Sequence, residues 1–238
     1  MIDFTNYEVL SFDCYGTLID WESGILGALK PVLSAHQIHL DDRQILELYG
    51  EIESKAEEGD YLRYREILKN VVRQFGRRFN FTPTPSEVAC LVDSLRNWKP
   101  FPDTVGALQA LRKKFKLAVI SNIDDDLFAL SAKRLQVELD WVITAEQAKS
   151  YKPSLHNFEL ALQRIGVPPK KLLHVAQSLY HDIVPAKTLG LSTVWVNRRK
   201  DKEGFGATPP ASGHPDLEVP DLKTLASTLG LNAEGPTA

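Results

Sequence analysis

Four short segments carry side chains that could do chemistry together. The first is Asp13-Cys14-Tyr15-Gly16-Thr17, directly after the apolar run Glu8-Val9-Leu10-Ser11-Phe12. A carboxylate therefore stands at the end of an expected strand, where α/β sheets place their ligands. Gly16 permits a tight turn and a close approach of backbone to substrate. Thr17 can hydrogen-bond the carboxylate or the substrate. The second segment is Ser121-Asn122, after the run Lys116-Leu117-Ala118-Val119-Ile120. Its hydroxyl and amide can hold an oxyanion or a substrate carboxylate. The third is Ser150-Tyr151-Lys152-Pro153, with Pro153 suited to a helix start. The fourth is Gln177-Ser178-Leu179-Tyr180-His181-Asp182, followed by Ala186 and Gly190. Each has a plainer reading alone: a turn, a helix cap, a surface lysine, an acid at a helix start. Their order along the chain gives them weight.

Elements must exist to hold these groups. Further apolar runs at Trp141-Val142-Ile143, Leu172-Leu173-His174-Val175 and Ser192-Thr193-Val194-Trp195-Val196 suit strands of a parallel sheet buried on both faces. Helical spacing intervenes at Val105, Leu108 and Leu111, and at Leu155, Phe158, Leu162 and Ile165. This alternation predicts an α/β fold, a doubly wound parallel sheet with a Rossmann-like core. Residues 20–98 break it. They show amphipathic patterns at Ile45, Leu48 and Ile52, at Tyr61, Tyr64, Ile67, Leu68 and Val71, and at Val88, Leu91, Val92 and Leu95. Thr84 or Ser86 could cap the last of these, with Pro85 in its first turn. The expectation is an inserted all-helical cap domain over 20–98, and a core domain from 1–19 and 99–238. Trp98-Lys99-Pro100-Phe101-Pro102 reads as the return linker. Residues 202–220 read as loop, with a short closing helix over 221–229.

The bulk numbers narrow the function classes. The chain has 238 residues, a formal net charge of −3, 43% hydrophobic and 25% charged residues. That balance argues against nucleic-acid and membrane partners, and no apolar stretch approaches the length of a membrane span. Arg198, Arg199, Lys200 and Lys202 read as a solvated loop. Cys14 and Cys90 read as free thiols, and no secretory signal is visible, so a cytoplasmic location is expected. His174 reads as a core histidine.

Asp after strand one, Ser-Asn after strand two, Lys-Pro after strand three and Asp after strand four, with helices after the first, resemble the haloacid dehalogenase superfamily. Tyr15 and Tyr151-Lys152-Pro153 narrow the resemblance to its L-2-haloacid dehalogenase-like (type II) group. It covers residues from about 7 to 225. It implies that Asp13 attacks C2 of a small 2-haloacid, expels halide and forms an aspartyl ester that water hydrolyses. It further implies that Thr17 orients Asp13, Lys152 keeps it ionised, and Asp182 positions or activates the water. Ser121 and Asn122 would bind the substrate carboxylate, with Cys14, Tyr15, Gln177 and Ser178 completing the substrate-binding set. No cofactor is required, the partner is a small-molecule substrate, and a homodimer could form through an exposed cap helix.

Phosphatases of the superfamily carry a general-acid Asp two residues after the nucleophile, and here that residue is Tyr15. General acid catalysis is worth about 10²–10⁴-fold, and a halide leaves without it. Two departures keep other readings open. The arginine that receives halide in this group is absent near Leu48-Tyr49-Gly50, with Arg63 and Arg65 as conceivable substitutes on a solvated helix face. The fourth motif has phosphatase-like spacing with Gln177 in an acid's position. A phosphatase would hold Mg²⁺ through Asp13, the Tyr15 carbonyl and Asp182, and a non-catalytic ligand-binding descendant is the third reading.

Overall fold

The apolar runs pair side by side in a computed structural model that describes residues 2–231. Strands β1 (Val9–Phe12), β2 (Lys116–Ser121), β3 (Trp141–Thr144), β4 (Leu172–Ala176), β5 (Ser192–Val196) and β6 (Leu217–Val219) form one six-stranded sheet in the order β3-β2-β1-β4-β5-β6. Every pairing is parallel. All four residues of β1 are buried, because β1 is central and both faces of the sheet are covered. The chain leaves β1 towards β2 and β3, then returns to the other side of β1 with β4. The crevice at the carboxyl end of β1 is thus the switch point of the sheet. β6 falls within the expected loop. It is a three-residue edge strand of which only Val219 is buried, so its pattern is too short to read.

Between β1 and β2 the chain forms α1 (Trp21–Ala35), α2 (Asp42–Ala56), α3 (Tyr64–Arg78) and α4 (Pro85–Ser94), packed against one another. The amphipathic patterns mark the last three. α1 is additional, since Gly24, Gly27 and the internal Pro31 blur its periodicity. Thr84 caps α4 in a reciprocal capping box with Glu87, and Pro85 occupies the first turn. α3 has no side-chain cap of its own. Instead Asp124, beyond β2, accepts from the Tyr64 and Arg65 amides at 2.8 and 3.1 Å. A carboxylate of the sheet layer thereby satisfies orphan donors of the helical layer.

The other α-helices are α5 (Thr104–Arg112), α6 (Asp125–Leu135), α7 (Ala145–Ala148), α8 (Leu155–Ile165) and α9 (Val184–Thr188), which lead from one strand to the next, and α10 (Leu222–Thr228), which follows β6. The basic run after β5 is not a freely solvated loop. The Arg198 guanidinium donates to the Thr17 carbonyl at 2.8 Å and to Asp103 at 2.9 Å. Arg199 donates to Glu22 of α1 at 2.6 Å. These contacts draw the Gly- and Pro-rich segment against the helical layer. A Cβ on Gly50 would stand 2.6 Å from the Ala207 carbonyl oxygen, so only glycine fits there. Among the described residues no helix is long and apolar enough to cross a membrane.

Candidate active site

Asp13 continues the line of β1, its amide donating to the Val175 carbonyl at 3.1 Å. Asp13 is only 7% exposed. Gly16 turns the chain with φ +95°, a left-handed conformation that favours glycine. The turn brings Thr17 back, and its hydroxyl donates to Asp13 Oδ2 at 2.7 Å. The Gln177 amide in turn donates to Thr17 Oγ1 at 2.9 Å, which fixes that hydroxyl. Lys152 is 1% exposed and sits between two carboxylates. Its Nζ donates to Asp13 Oδ1 at 2.9 Å, to Asp182 Oδ1 at 2.6 Å and to the Ile120 carbonyl at 2.9 Å. All three ammonium hydrogens are accounted for. His174 joins Asp182 through Nε2 at 3.0 Å and Ser11 through Nδ1 at 2.9 Å. It is a core histidine, as its apolar run suggests, and it also holds the far side of the charge cluster.

Burial weakens the Lys152 charge, but Asp13 and Asp182 more than restore it, so its pKa lies above the ordinary lysine value. Burial raises Asp182, yet the Lys152 charge and the His174 hydrogen bond outweigh it and hold Asp182 below the usual carboxylate range. For Asp13 burial dominates and the neighbouring Asp182 adds to it, so Asp13 is raised against the pull of Lys152. One cation shared by two carboxylates explains the asymmetry. His181 is driven down to about 4 by burial and is neutral near pH 7.

A pocket of about 30 Å³ opens above Asp13. That is room for one or two waters. It is lined on one side by Asp13, Tyr15, Ser121, Asn122, Lys152, Ser178, His181 and Asp182. The Ser121 hydroxyl, His181 Nε2 and Asp182 Oδ2 are buried there without partners. Asn122 has less to offer. Its amide nitrogen donates to the Lys152 carbonyl at 3.0 Å and to Glu57 at 3.2 Å, and its oxygen accepts from the Lys152 amide at 2.7 Å. In this arrangement Asn122 holds the Lys152 segment in place.

Three expected residues stand outside the pocket lining. Thr17 lies behind Asp13, in keeping with an orienting role. Cys14 is fully buried in the hydrophobic core, its thiol raised far above 9 by that burial. Side chains alternate across an extended segment, so the residue after Asp13 faces away from it. Gln177 contributes its backbone instead, donating to Thr17 and accepting from Trp195 Nε1 at 2.8 Å. Cys14 and Gln177, expected among the substrate-binding residues, thus do not line this pocket. Arg63 and Arg65 do not line the pocket either. They pair with Asp124, Asp126 and Glu146 at the junction of the two layers.

The helical layer supplies what the motifs do not announce: Trp21, Glu53 and Tyr64, with Thr208 from the loop after β5. Tyr64 donates to Glu53 Oε1 at 2.8 Å, and its own oxygen lies 3.1 Å from the Tyr49 hydroxyl. Burial pushes Glu53 up to about 7. Glu57, one turn on, is pushed well up by burial of its carboxyl and by Glu53. The only sequence signal was an acid on the apolar side of α2.

The side chains present do not fit Mg²⁺, the ion of the phosphatase reading. Lys152 already neutralises the facing oxygens of Asp13 and Asp182, and the other Asp13 oxygen takes Thr17. Gln177 replaces an acid. No group of three or more His, Cys, Asp or Glu among the described residues is placed to hold a metal, whereas Mg²⁺ demands an octahedral set of hard oxygens.

The chain is similar to known proteins in sequence and in fold. Haloacetate dehalogenase H-2 of Moraxella sp. (strain B) is 25% identical over 230 residues, 94% of this chain and 98% of the relative. Glyceraldehyde 3-phosphate phosphatase of Methanothermobacter thermautotrophicus is 31% identical over 157 residues, 60% of this chain and 70% of the relative. The solved L-2-haloacid dehalogenase of Xanthobacter autotrophicus with chloropropionic acid covalently bound superposes with a TM-score of 0.77 at 20% identity, covering 94% of this chain and 98% of that one. The model of the haloacid dehalogenase-like hydrolases matches residues 7–190, and the chain belongs to that family.

Proposed function

We propose that the chain releases halide from a small 2-haloacid through an aspartyl ester on Asp13, with residues 20–98 acting as a cap over the core. One observation carries the reading. Asp13 is buried against a lysine and a threonine hydroxyl, while the residue two positions on, Tyr15, cannot serve as a leaving-group acid at neutral pH. The Tyr15 hydroxyl is 2.7 Å from Ser131 Oγ, and burial raises its pKa well above 10.

An Asp13 oxygen attacks C2 in line with the carbon–halogen bond, and the halogen leaves with the bonding electrons. Lys152 opposes the burial that raises Asp13 and aims its carboxylate, as a cation at this range does. The buried, unpartnered Ser121 hydroxyl and Ser178 are donors for the substrate carboxylate. In the second half a water attacks the ester carbonyl. The free Asp182 Oδ2 and His181 Nε2 can hold that water, and cleavage regenerates Asp13 and a 2-hydroxyacid. Because the pocket holds about 30 Å³, substrate entry requires the cap to lift.

A phosphoester reading has the archaeal phosphatase relative in its favour, but the donor set opposes it. The test is halide release from racemic 2-chloropropionate in the presence of EDTA. The wild type should release chloride, and Asp13→Asn, folded by circular dichroism, should lose at least about 10³-fold in rate. No release by the wild type, or equal release by the variant, would overturn the reading.

A further inference from the structure

Glu53 is the one roof carboxyl that lines the pocket, and nothing in the proposed reaction uses it. It is 3% exposed, and its Oε2 is buried with no hydrogen-bond partner. Its other oxygen accepts from Tyr64. The groups that face it are Tyr49 and Glu57 along α2, Tyr64 from α3, and Asp13, Lys152 and His181 from the core side. None of the cap residues lining the pocket is cationic. A roof built to hold a departing halide anion by charge would need a guanidinium or ammonium, and Arg63 and Arg65 are engaged with Asp124 and Asp126.

A neutral carboxyl does something different: it offers a proton. From these placements we infer that Glu53 is the acid that protonates the departing group, and that the site suits a small 2-fluoroacid better than its bromo analogue. The inference rests on Asp13 being the nucleophile. Fluoride is the most basic halide and the strongest hydrogen-bond acceptor among them, so it gains most from a proton donor. Bromide leaves readily without one.

The atoms balance. Asp13 forms a bond to C2, the carbon–fluorine bond breaks, and its electron pair goes to fluorine together with the Glu53 proton. Hydrogen fluoride departs and leaves Glu53 as carboxylate. Water then cleaves the ester, the 2-hydroxyacid forms, and the proton released returns to Glu53. The buried setting supports this use. Burial lifts Glu53 to about 7, near the working pH at which a general acid is most effective. The donor is spent as pH rises through that value.

The experiment measures fluoride release from 2-fluoropropionate and bromide release from 2-bromopropionate across neutral pH, for wild type and Glu53→Gln. In the wild type, fluoride release should fall as pH climbs through about 7 while bromide release does not follow it. In the variant the fluoride-to-bromide ratio should drop by about 10²-fold, the lower end of what a general acid contributes. The alkaline fall in fluoride release should vanish with it. An unchanged ratio, or wild-type profiles that run parallel for the two halides, would overturn the inference. The second of these needs no variant. Asp13-dependent bromide release would stand in either case, so failure here is distinct from failure of the nucleophile, which would abolish release of both ions.

Discussion

On the floor of the pocket each buried charge has an opposite partner: Lys152 lies 2.9 Å from Asp13 and 2.6 Å from Asp182. In the roof, Glu53 and Glu57 have Tyr64 and Asn122 as hydrogen-bond donors, and no ion pair among the described residues. The two regions meet the same difficulty, carboxyl groups taken out of water, in opposite ways. A buried charge costs several kcal/mol unless it is paired or neutralised. The floor pairs its charges, and in the proposed reaction the nucleophile comes from one of those pairs. The roof leaves its acids without a cation, and burial raises both carboxyls above the usual carboxylate range. Complementary protonation states facing each other across one pocket are how a single site serves as both base and acid near neutral pH.

The largest expected effect comes from breaking the floor. Lys152→Met leaves Asp13 and Asp182 facing each other without a cation. It should destabilise the fold by about 3–5 kcal/mol, as removal of one partner of a buried pair does. Urea denaturation checks this, and a variant as stable as the parent would mean that the floor is not held by charge.

The roof should respond with the opposite sign. Glu53 has a folded pKa raised from 4.5 to about 7. Its contribution to stability is intact below about 4.5 and is lost as pH rises through about 7. Glu53→Gln should therefore stabilise the protein at pH 8 by up to about 3 kcal/mol, at 1.36 kcal/mol per unit. Thermal unfolding at pH 8 and at pH 4 would show the gain at the first and little at the second. A gain of equal size at both would detach it from ionisation and remove the contrast with the floor.

A smaller effect sharpens how floor and roof are joined. Asp124 is fully buried and accepts from the Tyr64 and Arg65 amides at the start of α3. Asp124→Ala should cost about 1–2 kcal/mol, the range for losing a helix cap. Because Tyr64 carries the hydrogen bond to Glu53, the same change should also alter the alkaline limb of fluoride release. Stability loss without that alteration would separate the latch from the roof's chemistry.

Much of this was legible in the residues, for identifiable reasons. A central parallel strand is buried on both faces, so β1, β2, β4 and β5 show as mainly apolar runs. Asp13 directly follows β1 and Lys152 directly precedes Pro153, while Thr17 and Asp182 lie within the turns that follow β1 and β4. β6 left no such trace, being three residues at the edge with one buried. Cys14 and Gln177 are neighbours of site residues in sequence, but alternation turns one into the core and a turn leaves the other to act through its backbone.

The amino-acid order determined the parallel sheet, the helical insertion and the four groups at the switch point, because apolar periodicity and strand-end placement are local properties. Only the tertiary structure decided that Lys152 is buried between two carboxylates, that Arg198 and Arg199 fold inwards, and that Glu53 lines the same pocket as Asp13. Those outcomes depend on which surfaces, brought together from residues 30 to 181 positions apart, exclude water from one another, and no spacing along the chain records that.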